Sequence, residues 1–280
     1  MKRADKTISA PVRVSRSGRL GGILMAIIAA GALSGPQAAA GQVDWPALEA
    51  DLFNGRTVSE DSTAVTLEAP YRAEDAAVVP ITVRIPAAMA NSVKALSLVI
   101  DENPAPLAAA FTFGPAAAAG ERVLETRVRV DAYSNIRAIV ETTDGRLLMA
   151  TRFIKAEGGC SAPALKDTDA ALAEAGRMQI KVLPPTASGE HEAQIKIRHP
   201  QYSGLQLNQA TGYYIPANFL RVIEVTRNGE RIFRMEGGIS LSEDPHIRFT
   251  YVGSGDETLE VTAEDTDGRV FKGSSAAKGS

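Results

Sequence analysis

The sequence predicts an all-β protein with a β-sandwich in each half, preceded by a short helix. Short segments rich in β-branched and aromatic residues recur along the 280-residue chain, and turn dipeptides such as Asn228-Gly229 lie between them. Several short strands separated by turn signals are typical of a sandwich. A Thr-Asp-Gly-Arg turn near the end of each half, at 143–146 and 266–269, suggests similar topologies. A chance likeness between two Asp-Gly turns is the alternative.

The first predicted element is a short amphipathic helix at residues 44–54. Asp44 fits the N-cap position and Pro46 fits the first turn. The apolar residues fall near one face: Trp45, Leu48, Leu52 and Phe53.

The strands follow from β-prone composition and from the turns that bound them. The first half has candidates at 63–68, 78–85, 95–100, 122–131, 136–142 and 147–154. The last two flank Asp144-Gly145, a signal for a type I′ hairpin. The second half has candidates at 179–183, 193–198, 220–226, 231–235, 247–252, 258–263 and 269–271, with hairpins at Asn228-Gly229 and Asp267-Gly268.

Residues 1–40 have the pattern of a secretory signal peptide. Six basic residues against one acid, Asp5, precede an apolar run at 23–33 and the triplet Ala38-Ala39-Ala40. The run is shorter than the roughly 20 residues that span a bilayer. An uncleaved membrane anchor is the alternative. Without a twin arginine, the general secretory (Sec) route to the periplasm is expected.

Cleavage after Ala40 would leave an acidic protein. It would remove 40 of the 280 residues, with six of the 30 basic and one of the 33 acidic groups, and so leave a net charge of −8. Such a chain would repel nucleic acid and anionic lipid, so neither is an expected partner, and no membrane association is expected after cleavage.

The remaining composition argues against metal, disulfide and common catalytic sites. One cysteine cannot form an intramolecular disulfide or a multi-thiolate metal site. His191, His199 and His246 lack ligand spacing, so structural or solvent-facing roles are expected for them. The sequence has no nucleophile elbow, P-loop or dinucleotide fingerprint, so no cofactor is predicted. Tyr213-Tyr214 is expected to pack in the core or between domains, with an exposed docking patch as the alternative.

Cys160 lies in a linker, residues 156–177, between the two halves. Free cysteines are commonly small buried hydrophobes. Here Gly158 and Gly159 precede the thiol and no large apolar residue is nearby, which favours an exposed, reactive group. If Ser161 capped a helix, the helix dipole would favour the thiolate, although Asp167 is a competing cap. Such a thiol could attack a sulfur electrophile and hold the product covalently.

These residues resemble those of the sulfur-oxidation (Sox) thiosulfate carrier. The stretch from Val79-Pro80-Ile81-Thr82-Val83 to Gly158-Gly159-Cys160 resembles the Y subunit. The second half resembles the Z subunit, in Ile197-Arg198-His199-Pro200, Gly212-Tyr213-Tyr214-Ile215-Pro216 and Asp244-Pro245-His246-Ile247-Arg248-Phe249. The form is that of a fused SoxYZ-like carrier of the kind associated with quinoprotein dehydrogenase systems.

The resemblance implies two immunoglobulin-like sandwiches: a SoxY-like domain at 41–155 and a SoxZ-like domain at 178–280. It implies that Cys160 is the attachment residue, with Gly158 and Gly159 as the flexible arm that presents it to partner enzymes. In the two-subunit family the Y chain ends in Gly-Gly-Cys-Gly-Gly. Here Ser161-Ala162-Pro163 follow and the chain continues, so the arm is tethered at both ends and cannot thread a deep tunnel as a free terminus would.

Two functions from different classes are predicted. The first is a periplasmic covalent sulfur carrier that is not itself an enzyme. Its expected partners are sulfur-oxidation enzymes and c-type cytochromes, or a quinoprotein dehydrogenase. The alternative is a non-covalent accessory protein that docks on an exported quinoprotein dehydrogenase or its cytochrome, with an incidental thiol. A thiol redox relay through intermolecular disulfides is a third hypothesis. It would need a partner protein to supply the resolving cysteine. The cargo and the oligomeric state stay open.

Overall fold

The computed structural model of the protein describes residues 43–163, 168–187 and 189–275, so the leader at 1–40 lies outside the described residues. In the first half the elements are α1 (Trp45–Leu52), β1 (Val58–Glu60), β2 (Thr66–Glu68), β3 (Val79–Ile85), α2 (Ala87–Ala90), β4 (Val93–Ile100), β5 (Leu107–Phe113), β6 (Arg122–Val128), β7 (Ser134–Thr142) and β8 (Leu147–Ile154). The linker contains α3 (Thr168–Ala173). The second half contains β9 (Met178–Leu183), β10 (His191–Ile197), β11 (Leu220–Arg227), β12 (Glu230–Gly237), β13 (His246–Tyr251), β14 (Leu259–Asp265) and β15 (Val270–Ser274).

The fold is mostly β, with two immunoglobulin-like sandwiches, as the sequence predicts. The strands form two sheets that both run through both halves. The nine-stranded sheet has the order β1-β8-β7-β4-β5-β12-β11-β14-β15, and the six-stranded sheet has the order β2-β3-β6-β13-β10-β9.

The two halves repeat one topology. If β2 to β8 are matched in order with β9 to β15, each strand has the same neighbours as its counterpart, and only β1 has no counterpart. The halves join where counterparts pair: β5 with β12 and β6 with β13, both antiparallel. Each junction is therefore self-complementary, like the interface of a twofold symmetric dimer.

A single apolar core fills the space between the sheets and crosses the junction. Alternate residues of the strands point inward, and β3 shows this as four buried positions separated by three more exposed ones. At the junction the rings of Phe111, Phe233 and Phe249 pack edge to face, with centroids 5.6 and 5.0 Å apart. The halves thus share their core as well as their sheets.

Helix α1 covers the outer face of the nine-stranded sheet through the four residues predicted for its apolar face. Trp45, Leu48, Leu52 and Phe53 pack on a small cluster that includes Val58 and Ile139. The Arg137 guanidinium lies 3.9 Å from the Trp45 ring centroid and 2.8 Å from an Asp101 carboxylate oxygen.

The predicted hairpins are all present, but one turn type is wrong. Asn228 and Gly229 have φ of 49° and 81°, as a type I′ turn requires. At Asp144-Gly145 only the glycine has positive φ, and the Gly145 N–H donates to the Thr142 carbonyl. The turn at Asp265–Arg269 has the same backbone hydrogen bonds, which agrees with the predicted likeness between the halves.

Two strands escaped prediction because their sequences are poor in β-forming signals. Strand β1 has three residues and pairs in parallel with β8. Strand β5 contains three consecutive alanines, which have low β propensity, yet it forms the junction with β12. Across the described ranges, no helix has the length and apolar character needed to cross a membrane.

Candidate functional site

The cysteine arm, residues 156–163, lies docked along the segment that follows β6. The Gly158 N–H donates to the Asp131 carbonyl at 2.8 Å, and the Gly159 N–H donates to the Val130 carbonyl at 3.0 Å. The Cys160 N–H donates to the Asp131 carboxylate at 3.1 Å. The arm is thereby hydrogen-bonded to the first half of the protein at three successive residues.

The two glycines meet different requirements of this docked geometry. Gly158 has φ of 75°, in the left-handed region that favours glycine. Gly159 passes so close to the neighbouring backbone that an added Cβ would lie 2.1 Å from the Ala76 carbonyl oxygen and 2.6 Å from that of Val130. The family resemblance implies that both glycines act as a swivel. In the docked conformation they allow the arm to lie close against the neighbouring backbone.

A buried arginine holds the arm from inside. Arg129 is 2% exposed, and its guanidinium donates to the carbonyls of Gly159 (3.2 Å), Gln201 (3.4 Å) and Leu241 (3.3 Å). Within the described ranges no carboxylate forms an ion pair with it. Burial lowers the pKa of Arg129, whereas the nearby Cys160 sulfur, when ionised, and the carboxylates of Glu243 and Asp75 raise it.

The second half of the protein covers the other side of the arm. The Ser203 hydroxyl donates to the Cys160 carbonyl at 2.5 Å, and the Gln206 amide donates to the Ala162 carbonyl at 2.9 Å. The site is therefore built from both domains: Arg129 and Asp131 from the first, Ser203 and Gln206 from the second.

The expected exposure of the thiol is wrong for this conformation. Cys160 is fully buried. The neighbouring glycines have no side chains that could shield it, so the shielding comes from residues distant in the sequence. Burial raises the pKa of Cys160 to about 12, and the Asp131 carboxylate adds to that rise, while Arg129 opposes it. Residues 161–163 form no helix, so the predicted dipole effect on the thiolate is also absent. The docked thiol is protonated at neutral pH and shielded from reagents.

An uncharged loop beside the arm exposes two aromatic rings. This tyrosine loop, residues 203–217, folds back on itself through the Leu207–Tyr214 bridge, and no charged residue occurs from 200 to 220. Tyr213 and Tyr214 are 77% and 69% exposed. The expected packing of these rings inside the protein is therefore wrong.

The three histidines occupy separate places in the fold. His199 is buried with Nε2 3.6 Å from an Asp265 carboxylate oxygen, and His191 packs at 6.0 Å from the Tyr251 ring. His246 lies on the outer face of the six-stranded sheet. Among the described residues, no cluster of three or more histidine, cysteine or acidic side chains forms a candidate metal site.

Comparison with known proteins matches both halves to sulfur-oxidation families. Residues 49–160 match the family described as "Sulfur oxidation protein SoxY", and residues 180–276 match the family described as "Sulphur oxidation protein SoxZ". A solved structure of the sulfur carrier protein SoxY from Chlorobium limicola f thiosulfatophilum is 27% identical, with 40% of this chain and 90% of that chain covered and a TM-score of 0.32. The CupB2 chaperone of Pseudomonas aeruginosa is 13% identical over 79% of this chain and 96% of its own, with a TM-score of 0.19. No curated protein matches the chain.

A SoxY domain followed by a SoxZ domain defines a sulfur-oxidation protein of the carrier type. The chain belongs to the SoxYZ family, as a form in which the Y and Z parts are fused in one polypeptide. The SoxY match ends at residue 160, which is the only cysteine of the chain.

Proposed function

We propose that the protein is a periplasmic carrier that holds sulfur compounds covalently on Cys160, and that partner enzymes carry out the chemistry. The observation that carries this proposal is the position of the single cysteine, at the end of the SoxY match and within the segment that leads to the SoxZ domain. The SoxY-like domain is assigned to 41–155, the arm and linker to 156–177, and the SoxZ-like domain to 178–280.

The carrier works by exchange between a docked and a released arm. The docked thiol, with its pKa near 12, is a resting form. After release the solvated thiolate displaces a leaving group from a sulfur electrophile: Cys–S⁻ and R–S–X give Cys–S–S–R and X⁻. The cysteine sulfur supplies the electron pair for the new bond, and X⁻ leaves with the pair of the broken bond.

Release gives the thiol a limited reach. Lys155 stays anchored by the backbone bond from its N–H to the Tyr71 carbonyl. The five residues from Lys155 to Cys160 span roughly 15–18 Å when fully extended. The chain continues beyond Cys160 into helix α3, which begins at Thr168, so the thiol is not on a free terminus. A partner site that accepts such an internal segment is shallow and open on two sides.

The tyrosine loop is the surface where we place the docking of sulfur-oxidation partners. It is exposed, uncharged and joined to the arm through Ser203 and Gln206. A partner that binds Tyr213 and Tyr214 would shift these two anchors and so favour release of the arm. Double substitution of Tyr213 and Tyr214 by serine is expected to leave the unfolding free energy nearly unchanged and to slow sulfur transfer to the partner.

The proposed carrier is located in the periplasm and works with sulfur-oxidation partners. The basic, apolar and Ala-x-Ala order of residues 1–40 supports export by the Sec route to the periplasm. Sulfur-oxidation enzymes are the partners that the family supports. Cytochromes of the c type or a quinoprotein dehydrogenase would serve as the associated redox proteins, and the carrier itself needs no cofactor.

Intact-mass spectrometry of the protein purified from its host tests the proposal. A sulfur-containing mass adduct that maps to Cys160 is expected, and it should disappear with a reducing agent. Ser161→Ala, which alters the next residue but not the thiol, is the matched control and should keep the adduct. A uniformly free thiol after exposure to thiosulfate, sulfide and the partner proteins would contradict covalent carriage.

Burial of the thiol favours the second function, an accessory protein that docks on an exported quinoprotein dehydrogenase or its cytochrome. In that case Cys160 is a small core residue of the docked arm. Cys160→Ser separates the two functions. Loss of the associated oxidation activity in the host supports carriage, whereas full activity supports docking.

A further inference from the structure

A cleft of about 600 Å³ lies on the outer face of the six-stranded sheet, beside the linker. Three of its lining side chains, Arg127, His246 and Lys196, come from the neighbouring strands β6, β13 and β10. Lys196 is paired in register with His246. The antiparallel pairing of Arg248 with Glu125, continued by two residues, places His246 opposite Arg127. The three side chains thus form one row across the sheet.

This row carries an excess of positive charge. Of the two carboxylates in the cleft lining, Glu174 pairs with Arg177 at 3.1 Å and Asp244 pairs with Arg198. The side chains of Arg127 and Lys196 form no ion pair with any described residue. They therefore leave the cleft with two positive charges that no lining carboxylate compensates, in a chain whose formal net charge is −3.

The adjacent row of the same sheet differs. There Arg248 is paired with two carboxylates, Glu192 at 2.7 Å and Glu125 at 3.5 Å. Arg248, one row away from the cleft, is thus compensated by carboxylates, whereas Arg127 and Lys196 are not.

His246 supplies a neutral polar group between the two cations. Burial, together with the like charges of Arg127, Lys196 and Arg248, lowers its pKa to about 4. The other titratable groups around it are Glu174 and Arg177 at the linker rim, with Arg198 and Asp244 beside them. The Nε2 atom of His246 contacts the Gln194 side-chain amide. When Nε2 accepts a hydrogen bond from that amide, the neutral ring carries its proton on Nδ1 and can donate that N–H without adding charge.

We infer that this cleft binds a doubly charged oxyanion of the sulfate type. Strands in a sheet are about 4.8 Å apart, so Arg127 and Lys196 start about 10 Å from each other, with His246 between them. Their long side chains can converge on one anion from two sides, and the imidazole N–H adds a hydrogen bond. The inference does not depend on the chemistry of Cys160.

Titration calorimetry of the full chain with sodium sulfate tests the inference, with sodium chloride at equal ionic strength as the reference. Saturable sulfate binding is expected for the unmodified chain. Cys160→Ser should bind with the same affinity, because the ligand is a free ion and not a group attached to the thiol. The double variant Arg127→Gln, Lys196→Gln should bind at least about tenfold more weakly, since two charges beside a dianion are removed.

Arg84→Gln is the matched control. Arg84 lies on the same face of the sheet, but it pairs with Glu68 at 3.2 Å, and it should leave the affinity unchanged. A second readout is the NMR titration of the His246 ring, whose midpoint should rise when sulfate is added to the unmodified chain and should not respond to sulfate in the double variant. A response that chloride reproduces, that is equal in all variants, or that is lost in Cys160→Ser would overturn the assignment.

Discussion

Substitution of Gly159 by alanine should release the cysteine arm and expose the thiol. The added Cβ would lie 2.1 and 2.6 Å from two backbone carbonyl oxygens, those of Ala76 and Val130. These two residues are hydrogen-bonded to each other, from the Val130 N–H to the Ala76 carbonyl at 2.8 Å, so neither oxygen can easily move away. The arm must move instead.

The size of the effect follows from the pKa of the docked thiol. Its pKa is raised from 9.0 to about 12. Because each pKa unit changes the thiolate population about tenfold, the docked thiol holds roughly a thousandth of the thiolate of an ordinary one at pH 8. Six hydrogen bonds restrain the segment from Gly158 to Ala162. At about 0.5–1.5 kcal/mol net for each, spontaneous release should keep fewer than about one molecule in a hundred open.

Alkylation by iodoacetamide, followed by mass spectrometry from pH 6.5 to 9, measures the effect. The native protein should react at least about a hundredfold more slowly than the urea-unfolded chain at pH 8, and Gly159→Ala should recover most of that difference. Glu157→Ala, an exposed position on the same arm, is the control and should react like the unmodified protein. A native rate within tenfold of the unfolded rate, or a Gly159→Ala rate equal to the native one, would refute the docked-arm reasoning.

Three further predictions concern stability. Arg129→Gln should lower the unfolding free energy by about 3 kcal/mol in urea titrations, because it leaves three buried carbonyls poorly satisfied, whereas Arg127→Gln, on an exposed position two residues earlier, should change it by less than about 0.5 kcal/mol. The raised pKa of Cys160 favours the protonated thiol in the folded state, so the stabilisation is complete below pH 9.0 and is lost as the pH rises toward 12. Cys160→Ser should therefore flatten the alkaline loss of stability, and identical curves would contradict the burial. The lowered pKa of His246 favours the neutral ring in the folded state, so folding loses stability as the pH falls from 6.5 toward 4, and His246→Gln should reduce the slope of acid unfolding in that window.

Local sequence signals identified most of the elements because those signals are themselves local. A β-turn at Asn228-Gly229 requires positive φ at two successive residues, and Asn and Gly are the residues that accept it. The apolar face of α1 follows from helical spacing, and all four predicted residues pack on the sheet. Strand β5 was not identified, because its alanines have no preference for a strand outside the sheet that they join.

The candidate site likewise combines features that the local sequence predicts with features that it does not. The single cysteine, its glycine neighbours and its place between two domains are properties of the sequence, and they identify the residue for which a function is proposed. The burial of Cys160 is not a property of the local sequence. The groups that hold its backbone in place lie 29 residues before it, at Asp131, and 43 residues after it, at Ser203. Glycine-rich context indicates freedom of the backbone, but burial depends on what the rest of the chain brings to that place.

The sequence by itself determined an all-β protein of two similar halves, a lone thiol between them and the family to which they belong. Only the tertiary structure decided that both sheets continue across the halves, that the thiol is docked and protonated, and that uncompensated cations gather in one cleft. The physical reason is that turns, strands and amphipathic faces depend on residues a few positions apart. Sheet continuity, the pKa of Cys160 and the charge of a cleft arise from groups far apart in the sequence, and folding alone brings those groups together.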